Sequence, residues 1–160
     1  MATLFFSNSV CPAEAPHPSV FLAGPTPRRI EDASWRPAAI ELFHAIAPNL
    51  TLYVPEWDTG QAQLDYDDQI RWEWKHLDAC TAILFWVPRK MPEFPAFTTN
   101  VEFGHYLAKR PGCVVYGRPP DAEKTKYLDE LYKKVTGKEP FATLEETCRA
   151  ALERAFESLG

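Results

Sequence analysis

Glu102 and Glu73 are the residues whose types and spacing point most directly to chemistry. Glu102 lies in Thr98-Thr99-Asn100-Val101-Glu102-Phe103-Gly104, a stretch expected to open a helix over 100–109. With Thr99 as N-cap, Glu102 takes the third helical position, the spacing of a capping box in which the glutamate returns to the N-cap amide. The same location has a second meaning. Unpaired amides and the helix dipole favour an ionised carboxylate by about 0.3–1 kcal/mol and hold its pKa low, as an anionic nucleophile requires. Glu73 belongs to a helical stretch over 67–79, where Ile70, Trp74 and Leu77 recur at i, i+4 and i+7 and predict the buried face. A carboxylate flanking that stripe is desolvated, which raises its pKa and suits it to hold a proton. The plainer reading makes Glu73 a boundary residue paired with Lys75 or Lys109. One ionised and one proton-bearing carboxylate are what retaining displacement at an anomeric carbon needs: one attacks while the other assists the departing group.

Residues so far apart in sequence meet only if the fold brings them to one edge. Short β-branched or aromatic runs predict strands at 19–23, 50–54, 81–87 and 113–116, with a weaker one at 139–142. Helices are expected at 34–47, 67–79, 100–109, 122–135 and 144–159. This alternation implies a parallel sheet of four to five strands with helices on both faces, and the apolar run Ala82-Ile83-Leu84-Phe85-Trp86-Val87 suits its centre. Ligands in such sheets bind beyond the carboxyl ends of the strands, where strand order reverses. That rule selects Gly24-Pro25-Thr26, Pro55-Glu56-Trp57, Pro88-Arg89, the segment 97–102 and Gly117-Arg118. Gly24 allows close backbone approach to a ligand or simply makes a Pro-Gly turn; neither a dinucleotide fingerprint nor a Walker loop surrounds it. Trp57, Trp86 and Phe97 are either platforms for a planar base or core residues.

A chain of 160 residues has the length of one domain: 1–18, rich in Pro, Ala and Ser, reads as an extended N-terminal arm and 19–160 as a single folded unit. Apolar residues at 46% and charged residues at 24% disfavour a disordered or membrane-spanning chain. The net charge of −5, without a basic run, argues for a small-molecule partner and against a nucleic-acid polymer, and with no stretch near membrane-spanning length no membrane partner is expected. Without a secretion signal at 1–18, and with Cys11, Cys80, Cys113 and Cys148 scattered, a cytoplasmic protein with reduced thiols is expected. The isolated His17, His44, His76 and His105 suggest no metal site, and no cofactor is expected.

Several motifs, in order, carry a family resemblance: Phe-Leu-Ala-Gly-Pro-Thr-Pro-Arg at 21–28, Ser34-Trp35-Arg36, Val54-Pro55-Glu56, Gln69-x-x-Trp72-Glu73, Ile83-Leu84-Phe85-Trp86-Val87-Pro88-Arg89 and Thr98 to Gly104. Together they resemble the nucleoside 2-deoxyribosyltransferase superfamily over roughly 19–155. The resemblance implies a flavodoxin-like three-layer fold and a glutamate nucleophile in an E-x-G motif, matched by Glu102-Phe103-Gly104. It also implies a covalent glycosyl intermediate resolved by a second base or by water, so the expected partners are nucleosides and free nucleobases. The family's acid on the preceding helix falls on Glu73, with Asp78 as the fallback. Substrate contacts implied by position are Phe21, Gly24, Pro25, Thr26, Glu56, Trp86, Thr98, Thr99 and Asn100. Two positions depart from the pattern. Many members carry a tyrosine that hydrogen-bonds the nucleophile, here replaced by Phe21, so aiming Glu102 falls to Thr99 or a water. The acidic or hydroxyl residue six positions before the nucleophile, which contacts the sugar's 5′ end, is matched by Ala96, leaving Thr98, Asn100 or a second subunit to substitute.

The resulting expectation is a nucleoside 2-deoxyribosyltransferase acting as a homodimer or higher homo-oligomer. The alternatives are an N-glycosidase acting on nucleosides or their 5′-monophosphates, for which Arg28, Arg29 and Arg89 are candidate phosphate contacts, and a non-catalytic nucleotide-sensing module.

Overall fold

Strand β2 (Ser19–Ala23) is buried along its whole length, so its residues serve two cores: Val20 and Leu22 face one, Phe21 and Ala23 the other. The same division runs through β3 (Thr51–Val54), β4 (Ala82–Trp86) and β5 (Val114–Gly117), because successive side chains of a strand point to opposite faces. Helices α1 (Arg36–Ile46) and α5 (Leu144–Glu157) cover one face through Ala39, Phe43, Cys148, Ala151 and Ala155. Helices α2 (Tyr66–Ala79), α3 (Phe97–Lys109) and α4 (Lys126–Thr136) cover the other through Leu77, Phe103, Tyr106, Leu107, Leu128 and Tyr132. Each large aliphatic or aromatic side chain so buried contributes roughly 1.5–3 kcal/mol. The result is a three-layer α/β fold of the flavodoxin-like kind, seen in a computed structural model whose description covers residues 1–13, 16–27, 32–60, 62 and 64–158.

A fifth strand, β1 (Thr3–Phe6), completes the sheet, and all neighbours pair in parallel in the order β1-β3-β2-β4-β5. It lies inside the stretch read as an arm. Its register, Thr3 opposite Thr51 through Phe6 opposite Val54, satisfies the outer edge of β3, whose amides and carbonyls would otherwise lie open. The weak strand at 139–142 does not form; a single bridge joins Phe141 to Gly117. The end of the helix expected over 144–159 lies outside the described residues. Its start is capped by Thr143, whose Oγ1 accepts from the Glu146 amide at 3.2 Å and donates to Glu146 Oε2 at 2.8 Å.

Three further expectations need correction. Helix α2 does not bury Trp74, which is 60% exposed; its inward side carries Trp72, Glu73, His76 and Leu77, one residue round from the predicted stripe. Helix α3 starts at Phe97, so Thr99 is its third residue and Glu102 lies in the second turn; the box predicted there is absent. The loop ahead of it sets this start. Lys90 and Phe94 bridge in antiparallel sense, Ala96 turns through φ 58°, and the Asn100 amide already bonds to Ala96 O at 3.1 Å. Finally, α4 begins four residues later than predicted, because the chain over 122–125 is held in the loop by the Glu123 amide on Arg89 O.

Strand order reverses between β2 and β4, and Gly24 lets the chain leave β2 there. Its φ is +147°, and a Cβ would stand 2.2 Å from the carbonyl oxygen of Trp86 and 3.0 Å from the Trp35 ring. Gly24→Ala is therefore expected to cost roughly 2–4 kcal/mol through backbone strain and overlap. Thermal unfolding checks this, and an unchanged midpoint would refute the close approach.

Candidate active site

Helix α1 begins with an arginine in a place normally reserved for apolar residues. Arg36, Ala39 and Phe43 are its buried positions, at i, i+3 and i+7, and Arg36 is 1% exposed. Its guanidinium is satisfied by four acceptors: Nε donates to Leu22 O (2.9 Å), Nη2 to Gly24 O (2.7 Å), and Nη1 to Thr26 Oγ1 (3.1 Å) and Glu56 Oε1 (2.7 Å). Ser34 Oγ donates to the same Glu56 oxygen at 2.6 Å. One side chain thus ties the end of β2 and the loop after β3 to α1. Burial pulls the Arg36 pKa down, and Glu56 opposes that most strongly.

Beside this knot lies a cavity of about 290 Å³ at the switch point. Ala23 to Thr26, Arg36 and Pro55 form one wall; α2 supplies Tyr66, Gln69 and Glu73; the loop and first turns of α3 supply Pro95 to Thr99 and Glu102. The two predicted carboxylates therefore meet in one space. Glu73 accepts a hydrogen bond from Gln69 Nε2 at 3.0 Å. Its pKa is raised by burial, against the opposing pull of Gln69 and Arg36. Glu102 is pushed up to about 8, first by burial and next by the charge of Glu73, with Arg36 opposing. This reverses the expectation of a carboxylate kept acidic by the helix terminus: in the second turn Glu102 is beyond the amides that would stabilise its charge. Burial and the charge of Glu73 together favour the protonated form of Glu102 at neutral pH.

The other predicted positions divide. Gly24, Pro25, Thr26, Thr98 and Thr99 line the cavity. Glu56 does not, and acts behind it through Arg36. Trp86 packs in the core on the α1/α5 face, so it is no stacking platform. Phe21 is buried against Trp72, ring centroids 5.9 Å apart, and places no polar atom near Glu102. Asn100 lies outside the lining and accepts from Arg89 Nη2. Asp78 is also outside it, paired with Lys109 at 2.7 Å and with Tyr106 at 3.1 Å, and the Lys109 bond holds its pKa down, which favours its charged form. That pairing removes Lys109 as a partner for Glu73. Among the described residues no hydrogen bond from Thr99 reaches Glu102. Of the aromatics, Phe97 lines the cavity and Trp57 does not. Arg28 and Arg29 lie outside the described residues. Arg36 and Gln69 stand in the motifs that carry the family resemblance but receive no role from it, and Tyr66 is not singled out by the sequence. For Arg36 the signal was present, since a cation on the buried i, i+3, i+7 stripe of a helix needs internal acceptors.

Among the described residues no helix is long and apolar enough to cross a membrane. A crystal structure of a conserved protein from Enterococcus faecalis V583 is similar over 89% of this chain and 99% of that one, at 14% identity and a TM-score of 0.48. No curated protein matches. The family model described as nucleoside 2-deoxyribosyltransferase like matches residues 17–121, a span that holds β2 to β5, α1 to α3 and every residue lining the cavity. The chain belongs to the nucleoside 2-deoxyribosyltransferase-like family.

Proposed function

We propose that this protein cleaves the N-glycosidic bond of 2′-deoxynucleosides and passes the sugar to a second base. One observation carries the reading: Glu102 and Glu73 line a single cavity, burial raises the pKa of each, and the charge of Glu73 raises Glu102 further. The reactive form carries one proton on the pair, held by Glu73, so that Glu102 attacks C1′ as an anion. The Glu102 Oε–C1′ bond forms, the C1′–N bond breaks, and the proton on Glu73 moves to the departing base nitrogen. A second base then attacks C1′ from the face the first one left, returning its N–H proton to Glu73 and the electron pair to Glu102. Two inversions give net retention. Gln69 and Arg36 act on the pair's charge, not on the sugar.

Deoxyinosine, with its 5′-monophosphate in parallel, tests this with and without free adenine. Turnover that depends on adenine and yields the deoxyadenosine product supports transfer; release of hypoxanthine at the same rate without adenine makes the protein a hydrolase instead. Glu102→Ala is expected to lower turnover more than about a thousandfold, and full activity in that variant would remove the proposal.

A one-proton requirement also fixes the pH profile. Below the pair's lower pKa both carboxyls are protonated and no nucleophile exists; above its upper one no acid remains. The expected kcat/KM profile is a bell whose alkaline limb falls near pH 8, following the raised pKa of Glu102. In Glu73→Gln the like charge that raises Glu102 is gone, so the residual activity should lose that limb; a limb unchanged in the variant would refute the coupling.

Assembly into a homo-oligomer is part of the same proposal. Tyr66 and Trp74 on α2 are 70% and 60% exposed, and Phe97 and Val101 on α3 are 62% and 72% exposed. Both helices line the cavity, and an apolar surface of this kind beside a site suits a second copy of the chain. Trp74→Glu is expected to shift the sedimenting species toward monomer; an unchanged species would place the interface elsewhere.

A further inference from the structure

Helices α2 and α3 carry the two carboxylates but do not pack closely on each other; both lie on the sheet, and the cavity opens between them toward their N-terminal ends. At the other end they are tied. Arg110, which closes α3, donates from Nη1 to Leu77 O at 2.6 Å and from Nη2 to Cys80 O at 2.6 Å, two carbonyls of the α2 terminus. A helix leaves its last carbonyls without internal partners, so this guanidinium supplies what α2 lacks. Asp78, in the same turn, accepts from the Tyr106 hydroxyl at 3.1 Å and from Lys109 Nζ at 2.7 Å. These contacts differ in weight. Lys109 and Asp78 are each about half exposed, and an exposed ion pair holds little. Arg110 is half-buried and its two bonds are charge-assisted, while Tyr106 is 3% exposed.

We propose that Arg110, supported by Tyr106 and Asp78, is the positioning residue that fixes the spacing between Glu73 and Glu102. None of the three lines the cavity, so they act through the helices alone. The lever is short. Glu73 stands one turn before Leu77, and Glu102 one turn before Tyr106, roughly 6 Å along each helix axis. A shift at the tied ends is therefore carried to the carboxylates. Parting the helices moves Glu102 away from Glu73 and admits water beside it. Both changes favour its ionised form, so its pKa falls from about 8. Besides Glu73 on α2, the groups that act on Glu102 are Arg36 on α1 and Tyr106 on its own helix. Arg36 is held by the end of β2 and by Glu56, outside the staple, and keeps its place when the staple is cut. The kinetic consequence of this spacing rests on the glycosidic reading, but the spacing is testable by titration alone.

The test is the titration of Glu102 in the full chain, read by NMR from its side-chain carboxyl resonance, in the wild type and in Arg110→Lys, Arg110→Met and Tyr106→Phe. In Arg110→Lys the charge stays but the fork that reaches two carbonyls is lost. Its Glu102 midpoint is expected to fall by about one pH unit, a tenfold loss of proton affinity. Arg110→Met should lower it at least as far. Removing the Arg110 charge by itself would raise the midpoint, so the sign separates position from field. Tyr106→Phe, which deletes one hydroxyl, is expected to give a smaller fall. Thermal unfolding checks that each variant is folded at the titration temperature, and Tyr106→Phe decides where an Arg110 variant is not. The proposal is overturned if the midpoint stays at its wild-type value or rises in the folded variants. Base release measured in parallel separates the two readings. In Arg110→Lys kcat should drop about tenfold with KM unchanged, and the alkaline limb should follow the midpoint. A falling midpoint in a protein that releases no base would keep the staple and remove the glycosidic reading; base release with an unmoved midpoint would do the reverse.

Discussion

The arrangement of this site depends on the burial of one guanidinium. Arg36 is 1% exposed, and its donors are matched by two carbonyls of the β2 exit, a hydroxyl and a carboxylate. Removing a charge from water is tolerable only when such partners replace the solvent, so the acceptors and the cation hold one another in place. The chain leaving β2 must bring Leu22 O and Gly24 O to Arg36, which is why Gly24 adopts φ +147° against the Trp86 carbonyl. Glu56 must likewise turn back from the end of β3. The cavity wall is what remains on the other side of this knot.

The same cation regulates the carboxylates opposite. Arg36 lowers the pKa of both Glu73 and Glu102, yet burial outweighs it in each case. Glu102 moves to about 8. Arg36 and Glu73 thus act on Glu102 in opposite directions, and burial decides the outcome.

How far this was legible in the sequence follows from how local each signal is. Strands β2 and β4 are continuous apolar runs whose burial needs no partner to be predicted, and Ser19–Ala23 was placed to the residue. β1 was not, since its four residues are partly exposed and gain strand geometry only from the edge of β3. The orientation of α2 failed by one residue: Trp74 looked like a core aromatic, whereas the face that counts is set by packing of Trp72 and His76 on Tyr53, with centroids 6.2 and 4.4 Å away. Glu73 was nonetheless identified correctly as desolvated, because a turn of one position carried it from the flank of the stripe to the inward face. The error in α3 was of another kind. A threonine three residues before a glutamate reads as a cap, and nothing in that spacing reveals that the loop from Lys90 to Ala96 starts the helix earlier.

That earlier start changes what the helix end is for. Had Thr99 capped α3, its hydroxyl and the Glu102 carboxylate would have satisfied the first amides internally, and the end would have been electrically closed. Starting at Phe97 moves Glu102 into the second turn and frees it to couple with Glu73, while the amides of Thr98 and Thr99 remain ahead of the first intrahelical bond. The positive helix end and the carboxylate pair are then separated by one turn along a single wall of the cavity. The two ends of that wall therefore differ in polarity, with amide donors at one and carboxylate oxygens at the other.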